Sequence, residues 1–326
     1  MAENKEQHYQ PDQNGMYELE FPAPQLSTTD GRGPVMIHAL EGFSDAGHAI
    51  KLAAQHLKDT LDTELVASFA IDELLDYRSR RPMMTFKTDH FSSYDQPELN
   101  LYALHDSVGT PFLLLAGMEP DLRWERFVTA VRLLAERLGV RQVIGLGTIP
   151  MAVPHTRPVT LTAHSANSEL IAEYTPWVGE VQVPASVSSL LEFRMSQHGH
   201  DAVGFTVHVP HYLAQTAYPP AAESLLAEAA RAGALQIPLN ALGEAAAEVH
   251  TKINEQVEAS AEVAQVVSQL ERQYDAFVAA QENRSLLARD EDLPSGDELG
   301  AEFERFLAQQ TDGKFGEGFP DGDETT

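Results

Sequence analysis

The chain reads as an α/β fold with a mostly parallel central sheet, and three observations lead there. Short apolar runs at 35–40, 111–117 and 143–144 carry almost no polar interruption, as strands buried on both faces do. After the first two, a turn opens into a segment with apolar residues at three- and four-residue spacing, the strand–turn–helix order of βαβ units. From 111 through the following helix to 144, the connections are short enough for a right-handed parallel crossover.

At 326 residues and 43% hydrophobic content the chain can bury one large α/β domain with a helical appendage. Its 49 acidic residues against 22 basic ones leave a formal charge of −27. A field of that sign repels phosphate backbones and anionic lipid, so neither nucleic acid nor a membrane surface is expected as a partner. Without cysteine there is no disulfide, no thiolate metal site and no cysteine nucleophile, which agrees with a reducing compartment. The first ten residues lack an apolar signal core and the strongest apolar run, 112–116, falls far below the roughly 18 residues of a membrane helix, so a cytoplasmic location is expected.

Residues 1–15 are polar and unpatterned and are expected to be disordered. Tyr17, Leu19 and Phe21 alternate with Glu18 and Glu20, the mark of a half-buried strand, and Pro22 and Pro24 end it at a sheet edge. The strand at 35–40 follows, then Ser44 or Asp45 as the cap of a helix whose buried stripe includes Ala49, Ile50, Ala53, Leu57 and Leu61. A third strand spans 65–70. The charged segment 71–82 holds Arg78, Arg80 and Arg81, for which Asp72, Glu73 and Asp76 are the expected ion-pair partners. Residues 83–86 and 98–105 alternate in polarity and suit antiparallel strands at the sheet's margin. The central strand 111–117 leads to a helix capped by Asp121 and stopped by Gly139.

Strands at 143–144 and 159–163 bracket a proline-fenced loop with His155 and Arg157. Helices around 168–173 and 185–198 precede a strand at 202–209, and Pro219 and Pro220 introduce a helix closed by Gly233. Another helix begins near Pro238. From Leu242 to Phe277 apolar residues recur in a three–four alternation with one phase slip near Ser260, which suggests one long helix. A short apolar stripe over 299–307 and a Gly-, Asp- and Glu-rich tail end the chain. The expected organisation is an α/β domain at 16–215, a helical region at 216–310 packed on it or on another subunit, and a disordered acidic tail at 311–326.

In an open α/β sheet, ligands and partners meet the loops beyond the carboxyl ends of the strands. That places Glu41, Ser44 and Asp45 of one loop beside Gly145, Gly147, His155 and Arg157 of another as a candidate ligand or partner site. The glycines admit a close approach, and the other five supply polar groups. His198, His200, His208 and His211 cluster in sequence, but their spacing matches no helical zinc motif, so no metal and no cofactor are expected. No Gly-x-Ser-x-Gly elbow is present and no catalytic residue can be assigned. Val267, Leu270, Tyr274, Phe277, Phe303 and Phe306 form apolar stripes in the helical half and are the candidate interface.

Several strings together resemble the proteasome assembly chaperone 2 family in its actinobacterial form. They are Glu41-Gly-Phe-Ser-Asp-Ala-Gly47, Leu75-Asp-Tyr-Arg-Ser-Arg-Arg-Pro82, Gly109-Thr-Pro-Phe-Leu-Leu-Leu-Ala-Gly117 with Glu119-Pro-Asp-Leu-Arg-Trp-Glu125, the loop from Gly145 to Pro158, and Gly296-Asp-Glu-Leu-Gly-Ala-Glu-Phe-Glu-Arg-Phe-Leu307. The resemblance covers 35–307. It implies a three-layer α/β/α fold, phosphorylase- or hydrolase-like in topology, with a C-terminal helical region. It also implies association, as a homo-oligomer such as a trimer and with proteasome subunits, because members of the family hold proteasome α-subunits during ring assembly. Family members that dock on proteasome rings often end in a hydrophobic residue, a tyrosine and one more residue; this chain ends Gly322-Asp-Glu-Thr-Thr326, so docking through such a tail is not expected. Two function classes stand side by side: a non-enzymatic interaction protein, and a phosphorylase- or hydrolase-like enzyme using the pocket at the ends of the central strands.

Overall fold

The computed structural model describes residues 10–11, 15–20, 24, 26, 28, 31–42, 44–175 and 179–286. Its strands are β1 (Gln10–Pro11), β2 (Tyr17–Leu19), β3 (Val35–Glu41), β4 (Thr63–Phe69), β5 (Met84–Lys87), β6 (His90–Tyr94), β7 (Leu99–His105), β8 (Pro111–Met118), β9 (Gln142–Met151), β10 (Leu161–His164) and β11 (Asp201–Pro210). Its helices are α1 (Ala49–Thr60), α2 (Ile71–Leu74), α3 (Trp124–Arg137), α4 (Val187–Gln197), α5 (Pro219–Gly233), α6 (Asn240–Glu258) and α7 (Ala261–Leu286).

Nine strands form one sheet in the order β1-β2-β4-β7-β8-β3-β9-β11-β10, and β5 pairs with β6 in a separate hairpin. Among the described residues, the parallel pairs are three in succession, β8 with β3, β3 with β9 and β9 with β11. The other five pairs of the large sheet are antiparallel. The sheet is therefore mixed and largely antiparallel, which corrects the expectation of a mostly parallel, phosphorylase- or hydrolase-like sheet.

The physical reason lies in the connections. Unbroken apolar character reports burial on both faces, and an inner antiparallel strand is buried in the same way. Direction is set by the turn: Asp106 closes β7 onto β8 by accepting from Val108 N at 3.0 Å and Thr110 N at 2.7 Å, too tight a link for anything but a hairpin. β7 thus lies inside the sheet between β4 and β8, not at its margin.

One face of the sheet carries Ile37, Leu114, Ile144 and Val203 against α1, α5 and α6, while the other carries Met36, Leu113, Val143 and Ala202 against α3 and α4. Pro219 and Pro220 start α5 at positions where no helical N–H is needed. Ser186 closes a capping box on α4. Asp121 does not cap α3. Its carboxylate accepts from Asp76 N at 2.9 Å and from the Arg80 guanidinium at 2.6 Å, while Arg123 enters the helix with φ 58° and pairs with Glu73. Arg80 therefore finds its acid across the loop, not among its own neighbours in sequence. At the phase slip the long helix breaks, with α6 ending at Glu258 and α7 starting at Ala261.

The chain divides into two units, residues 1–176 with 183–275, and 177–182 with 276–326. Of the second, residues 179–182 and the last turns of α7 are described. The stripe at 299–307, the tail, and most of the first 15 residues lie outside the described residues.

Candidate functional site

The seven candidate residues occupy four places. Glu41, at the end of β3, pairs with Lys51 at 3.6 Å and lines a cavity of about 540 Å³ with Lys58, Arg80, Arg81 and Glu98. Its cations gather locally in a chain that is strongly acidic. Ser44 and Asp45, just after that strand, are structural in their bonding. The Ser44 hydroxyl donates to Thr148 O at 2.5 Å, and the Thr148 hydroxyl donates back to Ser44 O at 2.8 Å, so the loop is stitched to β9. Asp45 accepts from Ile50 N at 2.8 Å and Lys51 N at 3.3 Å, supplying the acceptor for the first turn of α1. Burial pushes the Asp45 carboxyl up, and those two N–H groups partly offset it.

His155 and Arg157 sit in the loop after β9 and face the helical layer. His155 is 1% exposed; its backbone N–H donates to the Tyr212 hydroxyl at 2.9 Å, its Nδ1 lies 2.7 Å from the same oxygen, and its Nε2 lies 3.1 Å from Asn254 Oδ1. Burial pushes its imidazole down, so it is held neutral. Arg157 reaches Asp275 and Glu271 of α7, and Thr156 donates to Glu271 at 2.5 Å. Of the candidate interface residues, Val267 and Leu270 are buried, Tyr274 is half-buried with its hydroxyl 3.5 Å from Pro158 O, Phe277 is exposed, and Phe303 and Phe306 lie outside the described residues.

Gly145 and Gly147 lie in the middle of β9, on the face covered by α4, and line a second cavity of about 80 Å³. Their neighbours there, His38, His164, Glu192 and Gly204, were not among the sequence candidates. One signal was present: His38 is the single polar residue inside the apolar run of β3. Its ring is 2% exposed and neither nitrogen has a hydrogen-bond partner among the described residues. Burial, with the neighbouring His164 second, pushes its pKa down to about 4. His164 is tied at both nitrogens, Nδ1 to Glu192 at 3.0 Å and Nε2 to the Thr206 hydroxyl at 3.0 Å. Among the described residues no group of three or more His, Asp or Glu side chains is placed to hold a metal ion.

One further surface stands out. Every residue of the β5–β6 hairpin is exposed, among them Met84, Phe86, Phe91 and Tyr94, with Met83 beside it. Phe86 and Phe91 stack edge to face with centroids 5.2 Å apart.

A family model described as PAC2 family matches residues 39–257. The chain is similar to a protein of unknown function from Mycobacterium tuberculosis, with 73% identity over 93% of this chain and 99% of that one and a TM-score of 0.84. It is similar to a protein of unknown function from Corynebacterium glutamicum, with 44% identity over 81% of this chain and 98% of that one and a TM-score of 0.78. A proteasome-assembly chaperone homologue from Mycobacterium tuberculosis shares its fold at 24% identity, over 72% of this chain and 99% of that one, with a TM-score of 0.66. Among curated proteins none matches.

Proposed function

Because the chain belongs to the PAC2 family in its actinobacterial form, we propose that it is a non-enzymatic interaction protein that assists assembly of a proteasome or another multisubunit complex as a homo-oligomer. The observation that carries this reading is the β5–β6 hairpin. A lone two-stranded hairpin has little stability of its own, and five large apolar side chains of this arm and its base, Met83, Met84, Phe86, Phe91 and Tyr94, are between 47% and 70% exposed. Contiguous apolar surface of this kind is the usual mark of a protein-binding site. The shared fold with a proteasome-assembly chaperone homologue supports the choice of partner class. The bonding of Ser44, Asp45, His155 and Arg157, all engaged with the protein's own backbone or side chains, supports a framework role for those loops over a reactive one.

The test is affinity capture from native lysate, read by mass spectrometry, beside light scattering of the purified chain. Recovery of proteasome α-subunits and an oligomeric mass is the expected result. A monomer at micromolar concentration that captures no proteasome subunit would overturn the reading.

A further inference from the structure

Four residues line up across the sheet in register: His38 of β3 pairs with Gly145 of β9, Gly145 with Gly204 of β11, and Gly204 with His164 of β10. The two imidazoles thus stand at the ends of a row with two glycines between them, three strand spacings or roughly 14 Å apart at their backbones. Both rings lean inward over the glycines. A methyl group in place of the Gly145 hydrogen would sit 2.7 Å from His38 Nε2, and one at Gly204 would collide with the ring of His164 and the carboxylate of Glu192. Only glycine at both positions leaves a floor on which the side chains can converge. The cavity of about 80 Å³ lies in this gap, and serines from the start of α4 line it as well. On the measure by which one water needs about 10–15 Å³, there is room for a molecule of a few non-hydrogen atoms.

We propose that this slot binds a small, uncharged, planar molecule carrying a hydrogen-bond donor and acceptor on one group, of the carboxamide type, with His38 as its blind end. A polar ring this buried normally has partners, and a neutral imidazole offers one donor and one acceptor. The charge of the ligand follows from the other groups. An anion meets the Glu192 carboxylate, and two of the N–H groups at the start of α4 that would attract it are spoken for, Val187 N by Glu119 at 2.6 Å and Ser189 N by the Ser186 hydroxyl at 3.0 Å. A cation at the His38 end has no carboxylate to itself, since Glu192 is engaged with His164. A metal ion is disfavoured because both nitrogens of His164 are already bonded. The side chain of His164 is 44% exposed and that of Glu192 is 16% exposed, against 2% for His38, so the mouth lies at the His164 end.

Three probes of one shape separate these cases: acetamide, acetate and acetamidinium. The full chain, labelled with ¹⁵N at histidine, is titrated with each while the ring nitrogens of His38 are followed by long-range ¹H–¹⁵N correlation. Saturable shifts of His38 with acetamide, and neither with acetate nor with acetamidinium, are the expected result. In His38→Leu, followed through the ring nitrogens of His164 at the other end of the slot, acetamide binding should weaken about tenfold or more, the loss of a hydrogen bond to a buried group. Gly145→Ala should block the slot; should that variant not fold, the His38→Leu arm decides alone. No response to any probe would leave the cavity to water and overturn the proposal, as would an equal response to a charged probe or acetamide affinity unchanged in His38→Leu.

Discussion

Arg157 grips Asp275 through two parallel hydrogen bonds, Nε to Oδ1 and Nη2 to Oδ2, each 2.7 Å long. With Nη1 it also reaches Glu271 at 3.3 Å, one helical turn earlier in α7. This fork-on-carboxylate geometry fixes the orientation of both planes, which a lysine in the same place could not do.

Arg157→Ala should therefore loosen the first four turns of α7 more than it lowers global stability, because the pair is solvent-accessible and screened. Hydrogen exchange should speed up across 261–275 with the thermal midpoint nearly unchanged, and Arg157→Lys should rescue only part of the protection. The guanidinium holds the Asp275 carboxyl below its usual range, so the same loosening should appear in the unmutated chain only when pH falls through that lowered value. Unchanged exchange in Arg157→Ala would show that α7 is held by its apolar stripe alone.

His38 makes a different pH prediction. Folded, its pKa is about 4; unfolded, it returns to 6.5. Between those values the unfolded chain binds a proton that the folded chain refuses, so stability falls as pH drops through the window, by about 3 kcal/mol in all. The groups facing it are His164 and Glu192, and both remain in His38→Leu. That variant should lose this part of the pH dependence and, at neutral pH, gain about 1–2 kcal/mol, since an unpartnered buried polar group is removed. Denaturant titrations at pH 7 and pH 4.5 measure both effects, and identical pH slopes for the two proteins would sink the assignment.

Asp106, buried at its turn, should prove among the most sensitive turn positions. Besides closing the β7–β8 turn, its Oδ2 accepts from Gln236 N at 2.8 Å, tying the turn to the segment before α6. Asp106→Ala strands three backbone N–H groups and should cost about 3 kcal/mol. Asp106→Asn keeps one acceptor for the turn but turns an N–H group toward Gln236 or the turn, and should fall between. Equal midpoints for Asp106→Ala and its parent would refute the turn's role in fixing strand direction.

Replacing Phe86 and Phe91 together with serine should leave folding within about 0.5 kcal/mol, because both side chains already face solvent. The oligomeric mass, or capture of the partner, should drop. A double variant that assembles and captures as before would exclude the hairpin as the contact.

Local periodicity carried most of the element positions. The apolar run at 35–40, the stripe from Phe127 to Leu134 and the paired prolines at Pro219 and Pro220 each announced a strand or helix, because burial is written residue by residue. The break between α6 and α7 was visible as a phase slip, although it read as one helix. His38 was visible as an odd residue in a strand, but its meaning was not. Strand direction, strand order and partner choice were decided only by tertiary structure, since they depend on which distant segments pair. The same residues on β3 and β9 would be equally buried in another order, yet only β9 and β11 lying between β3 and β10 brings His38 and His164 over a shared floor of glycines. Likewise Arg157 was expected at a strand-end site, and the acids it holds come from a helix more than a hundred residues later in the chain.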